Sequence, residues 1–435
     1  MIKVCGNGAK ASMTIEELKT KIGETVTIEA CVHRVRDMGS IRFFVLRTGR
    51  FLLQTVYAAD ECECTVDGIK VGCYVRITGV LREESRAVYG LEVSIRSAEL
   101  LSVPAEEYPL KVGQRRLGCS LDANLDNRSV ALRNPYERAV FKFTEGVVSG
   151  FREFMLNEGF TEIHTPKIVA AGAEGGANIF KLDYFDQTAY LNQSPQFYKQ
   201  TAVAFFDRVF EIGPVFRAER HNTSRHLNEY TGLDFEMGFI NGMEDVMEME
   251  TAMLKYVVAY LKEHYQNELM ILAPELPEIE EIPALTFMEA VELLGGRQRA
   301  DLSPDDEVFL CDYAKKNFNS DFIFITHFPA AKRPFYAMND KEDSRFALSF
   351  DLLFRGLEIT TGGQRIHDYT EQVEKMKAMN MDPDDLKEYL KIHKYGMPPH
   401  GGLGIGLERL VMKLLDRANI RETSMFPRDV NRLDP

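Results

Sequence analysis

No apolar run in the chain is long enough to cross a bilayer, and the opening MIKVCGNGAKASM lacks the apolar core of a signal peptide. The expected location is the cytosol, with no membrane partner. The string GxxxxGK[ST] is absent, which excludes nucleotide binding through a P-loop. No Ser-His-Asp or Cys-His arrangement stands out. Among the seven cysteines only Cys62 and Cys64 are close, and no second Cys or His pair accompanies them. Reduced structural thiols are therefore expected, not a zinc site. Positive charge is also short, with 52 Lys+Arg against 66 Asp+Glu and a formal net charge of −14. Taken as a sum this disfavours a nucleic-acid partner. A binding face is local, however, and Lys111, Arg115 and Arg116 form a basic cluster. Composition leaves the partner open.

At 435 residues, 45% hydrophobic and 27% charged, the chain has the make-up of a soluble enzyme of two or three domains. Residues 14–103 carry five short β-branched or aromatic runs: TVTIEACVHRV, SIRFFVLR, FLLQTVYA, YVRITGVLR and LEVSIRSAELL. Turn signals such as Asp37-Met38-Gly39 separate them. Such a set suits an OB-fold barrel over 1–104, with a generic β-sandwich as the alternative. Residues 105–135, with Pro104 and Pro109 near one end and Pro135 at the other, read as a hinge. From 136 to 435 the pattern changes. A helix is expected over 136–159, stopped by Gly159, and another near 243–264. Strand-like runs TEIHTPKIV, AYLNQ, RVFEIGPVFRAE and GLDFEMGFI lie between them, without βαβ alternation. The expected fold class is α+β, on a largely antiparallel sheet flanked by helices.

Four strings carry chemistry. In FRAERHNTSRHLNEYTGLDFEMGF, Arg217 and Glu219 alternate on an expected strand, a loop brings His221, Arg225 and His226, and a second strand returns with Asp234 and Glu236. Cations at a strand and loop suit a triphosphate, against the alternative of an exposed hairpin with surface ion pairs. GLGIGLERL reads as a Gly-rich turn entering a helix, with Arg409 on its first turn. In DLLFRGLEITTGGQRIHD, Asp351 and Glu358 are hard ligands suited to Mg²⁺, and Arg365 is a fork suited to a carboxylate. In QSPQFYKQ, Gln196 and Lys199 sit three apart and can face one pocket. An ATP site built from arginines, a metal carboxylate and a Gly turn points to positioning and charge neutralisation.

These strings resemble class II aminoacyl-tRNA synthetases: FRAE…RHLNEYTGLDFEM their motif 2, GLGIGLERL their motif 3, and GFTEIHTPKIV, with Pro166, their dimer-interface motif 1. Nearly the whole chain shares the resemblance, which is closest to aspartyl-tRNA synthetases of the archaeal and eukaryotic type. It implies a homodimer that activates L-aspartate with ATP and Mg²⁺ and charges tRNA-Asp. Arg217 and Arg409 would grip ATP, helped by Ala218, Glu219, Arg225, His226, Leu227, Gly406, Leu407 and Glu408. Asp351, Glu358 and Thr361 would hold Mg²⁺. Glu174, Gln196, Lys199, Arg217, Asp234, Thr361 and Arg365 would line the amino-acid pocket. In the barrel, Phe43, Gln54 and Glu92 match the family's anticodon-reading positions, with Phe43 as simple barrel core the competing reading and Phe44 expected to point the opposite way. Members restricted to tRNA-Asp carry a Trp and a Lys where this chain has His33 and Val88. The resemblance therefore implies a non-discriminating enzyme that also charges tRNA-Asn, the smaller His33 imidazole accepting either base edge. Val88, however, is not the Pro usual in that sort, and an ordinary strand histidine is the competing reading of His33. The rivals are an asparaginyl enzyme, a non-catalytic tRNA-binding paralogue and an ATP-dependent amide ligase. Lys199 and Arg365 disfavour the first, intact Arg217, Glu358 and Arg409 the second, and the barrel the third.

Overall fold

The period-2 alternation of the first hundred residues builds strands with one face inward. In Tyr74–Glu83, Val75, Ile77 and Leu81 are buried while Arg76 and Arg82 point outward. The computed structural model describes residues 2–5, 13–62, 64–170, 172, 178–296 and 299–434. It divides into two compact units, Met1–Glu137 and Arg138–Pro435.

The first unit runs β1 (Ile2–Cys5), α1 (Ile15–Lys19), β2 (Thr25–Asp37), β3 (Ile41–Arg47), β4 (Leu52–Ala58), β5 (Tyr74–Glu83) and β6 (Leu91–Ser102). Its sheet order is β1-β2-β3-β4-β6-β5, and β5 pairs back onto β2 to close a barrel. Strands β2 to β6 are the five expected runs. The Asp37-Met38-Gly39 turn joins β2 to β3, with Gly39 at φ 85° and its N–H donating to Asp37 Oδ1 at 2.9 Å. The parallel β1 is an addition that no sequence signal announced. The expected hinge at 105–135 also differs, since it holds α2 (Leu121–Asp126) and α3 (Arg128–Ala131). Asn134 donates to the carbonyls of Val112 and Gln114, at 2.9 and 2.7 Å. The Tyr108 ring lies so close to Gly72 that a Cβ there would meet it at 2.9 Å. Buried backbone groups need partners, and this segment satisfies them by folding.

In the second unit, α4 (Pro135–Asn157) buries Phe143, Val147 and Phe151 at helical spacing and stops before Gly159, which has φ 78°. Full burial of each Phe contributes about 2–3 kcal/mol. Then come β7 (Thr161–Glu162), β8 (Ile168–Val169), β9 (Lys181–Tyr184), β10 (Gln187–Leu191), α5 (Gln196–Phe206), β11 (Arg208–Phe216), β12 (Glu229–Gly238), α6 (Met243–His264) and α7 (Gln266–Leu272). The chain continues through β13 (Ala284–Thr286), α8 (Phe287–Leu293), α9 (Pro304–Phe318), β14 (Phe322–Thr326), β15 (Ser349–Phe354), β16 (Glu358–Arg365), α10 (Tyr369–Ala378), α11 (Lys387–Tyr395), β17 (His400–Gly406) and α12 (Leu407–Leu414). Eight strands form one sheet in the order β13-β14-β15-β16-β17-β12-β11-β7. Six of them, β14 to β11 along that order, pair antiparallel, and only the edge strands β13 and β7 pair parallel. Every residue of β14 and β15 is buried, so this sheet is covered on both faces. No helix among the described residues is long and apolar enough to cross a membrane.

Two expectations are corrected here. Arg217 and Glu219 do not alternate on a strand, because β11 ends at Phe216 and both lie in the following loop. The Gly-rich GLGIG is not a turn but lies within β17, inside the sheet. A Cβ at Gly402 would lie 2.3 Å from Glu236 Oε2 and 2.2 Å from the Phe235 carbonyl. Glycine here makes room for a neighbouring carboxylate.

Candidate active site and barrel face

A cavity of about 650 Å³ opens over the sheet of the second unit. Its walls come from the start of α5, the β11–β12 loop, the faces of β12, β16 and β17, the loop around Arg333, and the first turn of α12.

The cavity floor is a buried ionic network. Lys199, on the first turn of α5 and 1% exposed, donates Nζ to Asp234 Oδ1 at 3.0 Å and to the Leu403 carbonyl at 2.7 Å. It also lies 3.4 Å from Glu236 Oε2. Arg365 donates Nε to Glu236 Oε1 at 2.9 Å and Nη2 to the Gly402 carbonyl at 2.8 Å. Burial alone would push Glu236 upward, but Arg365, Lys199 and His400 outweigh it and hold the carboxyl below its usual range. For Asp234 burial prevails over Lys199, and its pKa is raised. Two cations thus meet two carboxylates away from water, an arrangement that holds only while each has its partner. Beside them Gln196 is buried, and its Nε2 makes no hydrogen bond among the described residues. A buried donor left unpaired beside a cavity is suited to a ligand acceptor.

The opposite wall is built for anions. Asn228 pins the β11–β12 loop by donating Nδ2 to the carbonyls of Arg217 and Glu219, at 2.7 and 2.8 Å. Arg217, Glu219, Arg225, His226 and Leu227 line the cavity from this loop. His226 hydrogen-bonds Thr223 at 2.6 Å, and burial with nearby Arg409 lowers its pKa. Arg409, on the first turn of α12, donates to the Glu358 carbonyl at 2.9 Å and lies 3.7 Å from its carboxylate. Thr361 donates Oγ1 to Glu358 Oε1 at 3.2 Å. Asp351 faces Thr361 across the β15–β16 register and accepts from Arg333 at 2.8 Å. Burial, offset by Arg333 and reinforced by Glu358, pushes Asp351 up to about 6.

Of the expected site residues, Gln196, Lys199, Arg217, Glu219, Arg225, His226, Leu227, Asp234, Glu358, Thr361, Arg365, Gly406, Glu408 and Arg409 converge on this cavity. Glu408 turns both carboxylate oxygens onto the Thr231 N–H, at 3.1 and 3.0 Å, and burial raises it to about 7. Asp351 sits just behind the wall. Leu407 is in the core, and Ala218 donates its N–H to the Asn178 carbonyl at 3.0 Å. Glu174 lies outside the described residues. Sequence reasoning passed over Lys332, Arg333 and Tyr336, which line the cavity from a loop. The string KRPFY, two cations before a proline and two aromatics, was the available signal.

Residues 120–430 match the family described as "tRNA synthetases class II (D, K and N)". The chain belongs to this family. Among similar class II synthetases is the "Aspartate--tRNA(Asp/Asn) ligase" of Thermus thermophilus, 43% identical, with 97% of this chain and 99% of that protein covered. The "Aspartate--tRNA(Asp) ligase" of Pyrococcus furiosus is 39% identical, with 95% and 97% covered. In three dimensions the asparaginyl-tRNA synthetase of Pyrococcus horikoshii complexed with asparaginyl-adenylate superposes with a TM-score of 0.90, at 29% identity, over 98% of this chain and 100% of that one.

The synthetase's first unit offers a second candidate surface. Phe44 is buried in the barrel core, whereas Phe43 is half-buried on the other face with the Arg36 guanidinium 4.6 Å from its ring centre. Gln54 faces Glu92 across the β4–β6 pairing and donates Nε2 to it at 2.6 Å. Arg82 donates Nη2 to the other oxygen of Glu92 at 2.8 Å. Glu92 is itself buried, so it orients Gln54 and Arg82 instead of standing exposed. His33 differs more from expectation. It falls at the β2 bulge between Val32 and Arg34 and is 3% exposed, so its ring is not presented to solvent. Val88, in a short turn before β6, is 61% exposed.

Proposed function

We propose that the cavity activates L-aspartate. An α-carboxylate oxygen of aspartate attacks the α-phosphorus of ATP, pyrophosphate leaves, and aspartyl-adenylate forms. The 3′-hydroxyl of the terminal tRNA adenosine then attacks the acyl carbon, and AMP leaves. The observation that carries this reading is the pair of buried cations, Lys199 and Arg365, on the wall of a class II synthetase cavity. A substrate carboxylate suits such a floor. Both cations already bond Asp234 and Glu236, so a substrate carboxylate would share them with those groups, at a greater Coulombic gain than a neutral amide. The relatives named for aspartate at 43% and 39% identity support the same choice. Gln196 adds a donor for the substrate, and Asp234 an acceptor for its ammonium group.

On this reading Arg217 and Arg409 hold opposite ends of the triphosphate, with Arg225 and His226 over it. The fixed positive charge of the three arginines opposes the charge that develops as the phosphorus is attacked. Asp351, Glu358 and Thr361 fit a Mg²⁺ ion. The Glu358 carboxylate reaches the cavity, and the Oδ1 of Asp351 is buried with no hydrogen bond among the described residues. Two carboxylates and a hydroxyl suit an ion that completes its shell with phosphate and water oxygens. Bound there, it would neutralise charge on the phosphates and the leaving pyrophosphate. We read the assembly as a homodimer through the segment around Pro166. ATP–pyrophosphate exchange across the twenty amino acids tests the proposal. Aspartate alone should support fast exchange, and faster exchange with asparagine would transfer the reading to an asparaginyl enzyme.

The barrel face supports tRNA reading. Phe43 offers a ring for a stacked base, and Gln54 a hydrogen-bonding edge held by Glu92. We read the enzyme as charging both tRNA-Asp and tRNA-Asn, which is the wording of the 43%-identical relative's name. With His33 buried, the breadth rests on the missing Trp and Lys and not on a contact made by the imidazole. The expected result is aspartylation of both purified transcripts. Phe43→Ala should weaken both by about 10- to 100-fold, the worth of one stacked base, and leave exchange unchanged. Uncharged tRNA-Asn at enzyme levels that saturate tRNA-Asp would restrict the enzyme to one tRNA.

A further inference from the structure

Glu307 occupies the first turn of α9, where the helix dipole favours a negative charge. It does not line the cavity but stands behind residues that do. Its Oε2 accepts from the Arg225 guanidinium and also from the main-chain N–H of Glu358, the latter at 3.0 Å. The carbonyl of that same Glu358 accepts from Arg409 at 2.9 Å. One carboxylate oxygen therefore joins a loop arginine to the strand that carries Glu358. Both ends project into the cavity.

We propose that Glu307 is a positioning residue for adenylate formation, fixing Arg225 and Glu358 relative to each other where the ATP phosphates sit. The proposal rests on the reading of Arg225 and Glu358 as ATP-contacting. Holding two groups before the ligand arrives removes an ordering cost at binding. Arg225 comes from a loop between strands, which without such a tether samples many rotamers.

The test uses the full chain and the variants Glu307→Ala, Glu307→Gln, Arg225→Ala and the Ala double variant. KM for ATP, KM for aspartate and kcat are read in pyrophosphate exchange, beside Tm. Loss of a charge-assisted hydrogen bond predicts that Glu307→Ala raises KM for ATP by about tenfold or more, with KM for aspartate unchanged. Glu307→Gln keeps an acceptor oxygen for both donors and should recover most of the loss. The double variant should lose less than the product of the two single losses, because the two residues share one contact. If Arg225→Ala raises KM for ATP while Glu307→Ala does not, the tether is wrong and the ATP reading stands. If Arg225→Ala leaves KM for ATP unchanged, the ATP reading of the loop fails, and the tether with it. A parallel rise of both KM values with a fall in Tm assigns Glu307 a structural role only.

Discussion

Arg365→Leu should abolish aspartate-dependent pyrophosphate exchange. The guanidinium is buried, hydrogen-bonded to Glu236 at 2.9 Å and to the Gly402 carbonyl at 2.8 Å, and it lines the cavity floor. Its removal withdraws a positive charge from the proposed carboxylate site. It also leaves Glu236 with only Lys199, at 3.4 Å, and His400 to offset its burial. Breaking one partner of a buried ion pair costs about 3–5 kcal/mol, so the single variant should lose stability together with activity. A second variant separates the two effects. Arg365→Leu with Glu236→Gln removes both charges, which should restore much of the stability while exchange stays absent. A double variant that is stable and active with aspartate would remove Arg365 from the amino-acid pocket.

Glu358→Gln should have the second largest effect, slowing exchange by roughly 10²- to 10⁴-fold, the equivalent of several kcal/mol of lost charge stabilisation. The substitution is nearly isosteric. It keeps an oxygen for the Thr361 hydroxyl, and it leaves untouched the main-chain bonds to Glu307 and Arg409. A fold defect is therefore not expected, and Tm should hold. Only the negative charge is lost, so the Mg²⁺ concentration for half-maximal exchange should rise. Normal rate and normal metal dependence would make Glu358 a structural residue.

The barrel strands were legible because each is a local alternation of β-branched and polar residues, and the Asp37-Met38-Gly39 turn is equally local. α4 and α6 were legible for the same reason at period 3.6, and Gly159 marked a stop that the chain takes. The strings around Arg217, Glu358 and Arg409 were legible as a family resemblance, and they converge on one cavity. Strands β14 to β16 were harder to see. β14 and β15 are buried throughout and show apolar runs, and β16 carries a Thr-Thr-Gly-Gly stretch, none with an alternation to read. The glycines of β17 suggested a turn when read alone. Their reason lies on another strand, in the Asp234 and Glu236 side chains packed against them.

By itself the sequence determined the β-rich start, the two long helices, the exclusion of a P-loop, and the class II synthetase strings with their candidate residues. Only the tertiary structure decided how those residues are partnered. Arg365 pairs with Glu236 across 129 positions, Lys199 meets the Leu403 carbonyl across 204, and Arg225 meets Glu307 across 82. It also decided that His33 and Glu92 are buried and that the 105–135 segment is folded. Periodicity and turn chemistry act over a few residues, so sequence patterns report them directly. Burial and charge pairing depend on which distant segments the sheet brings together, and no local pattern records that.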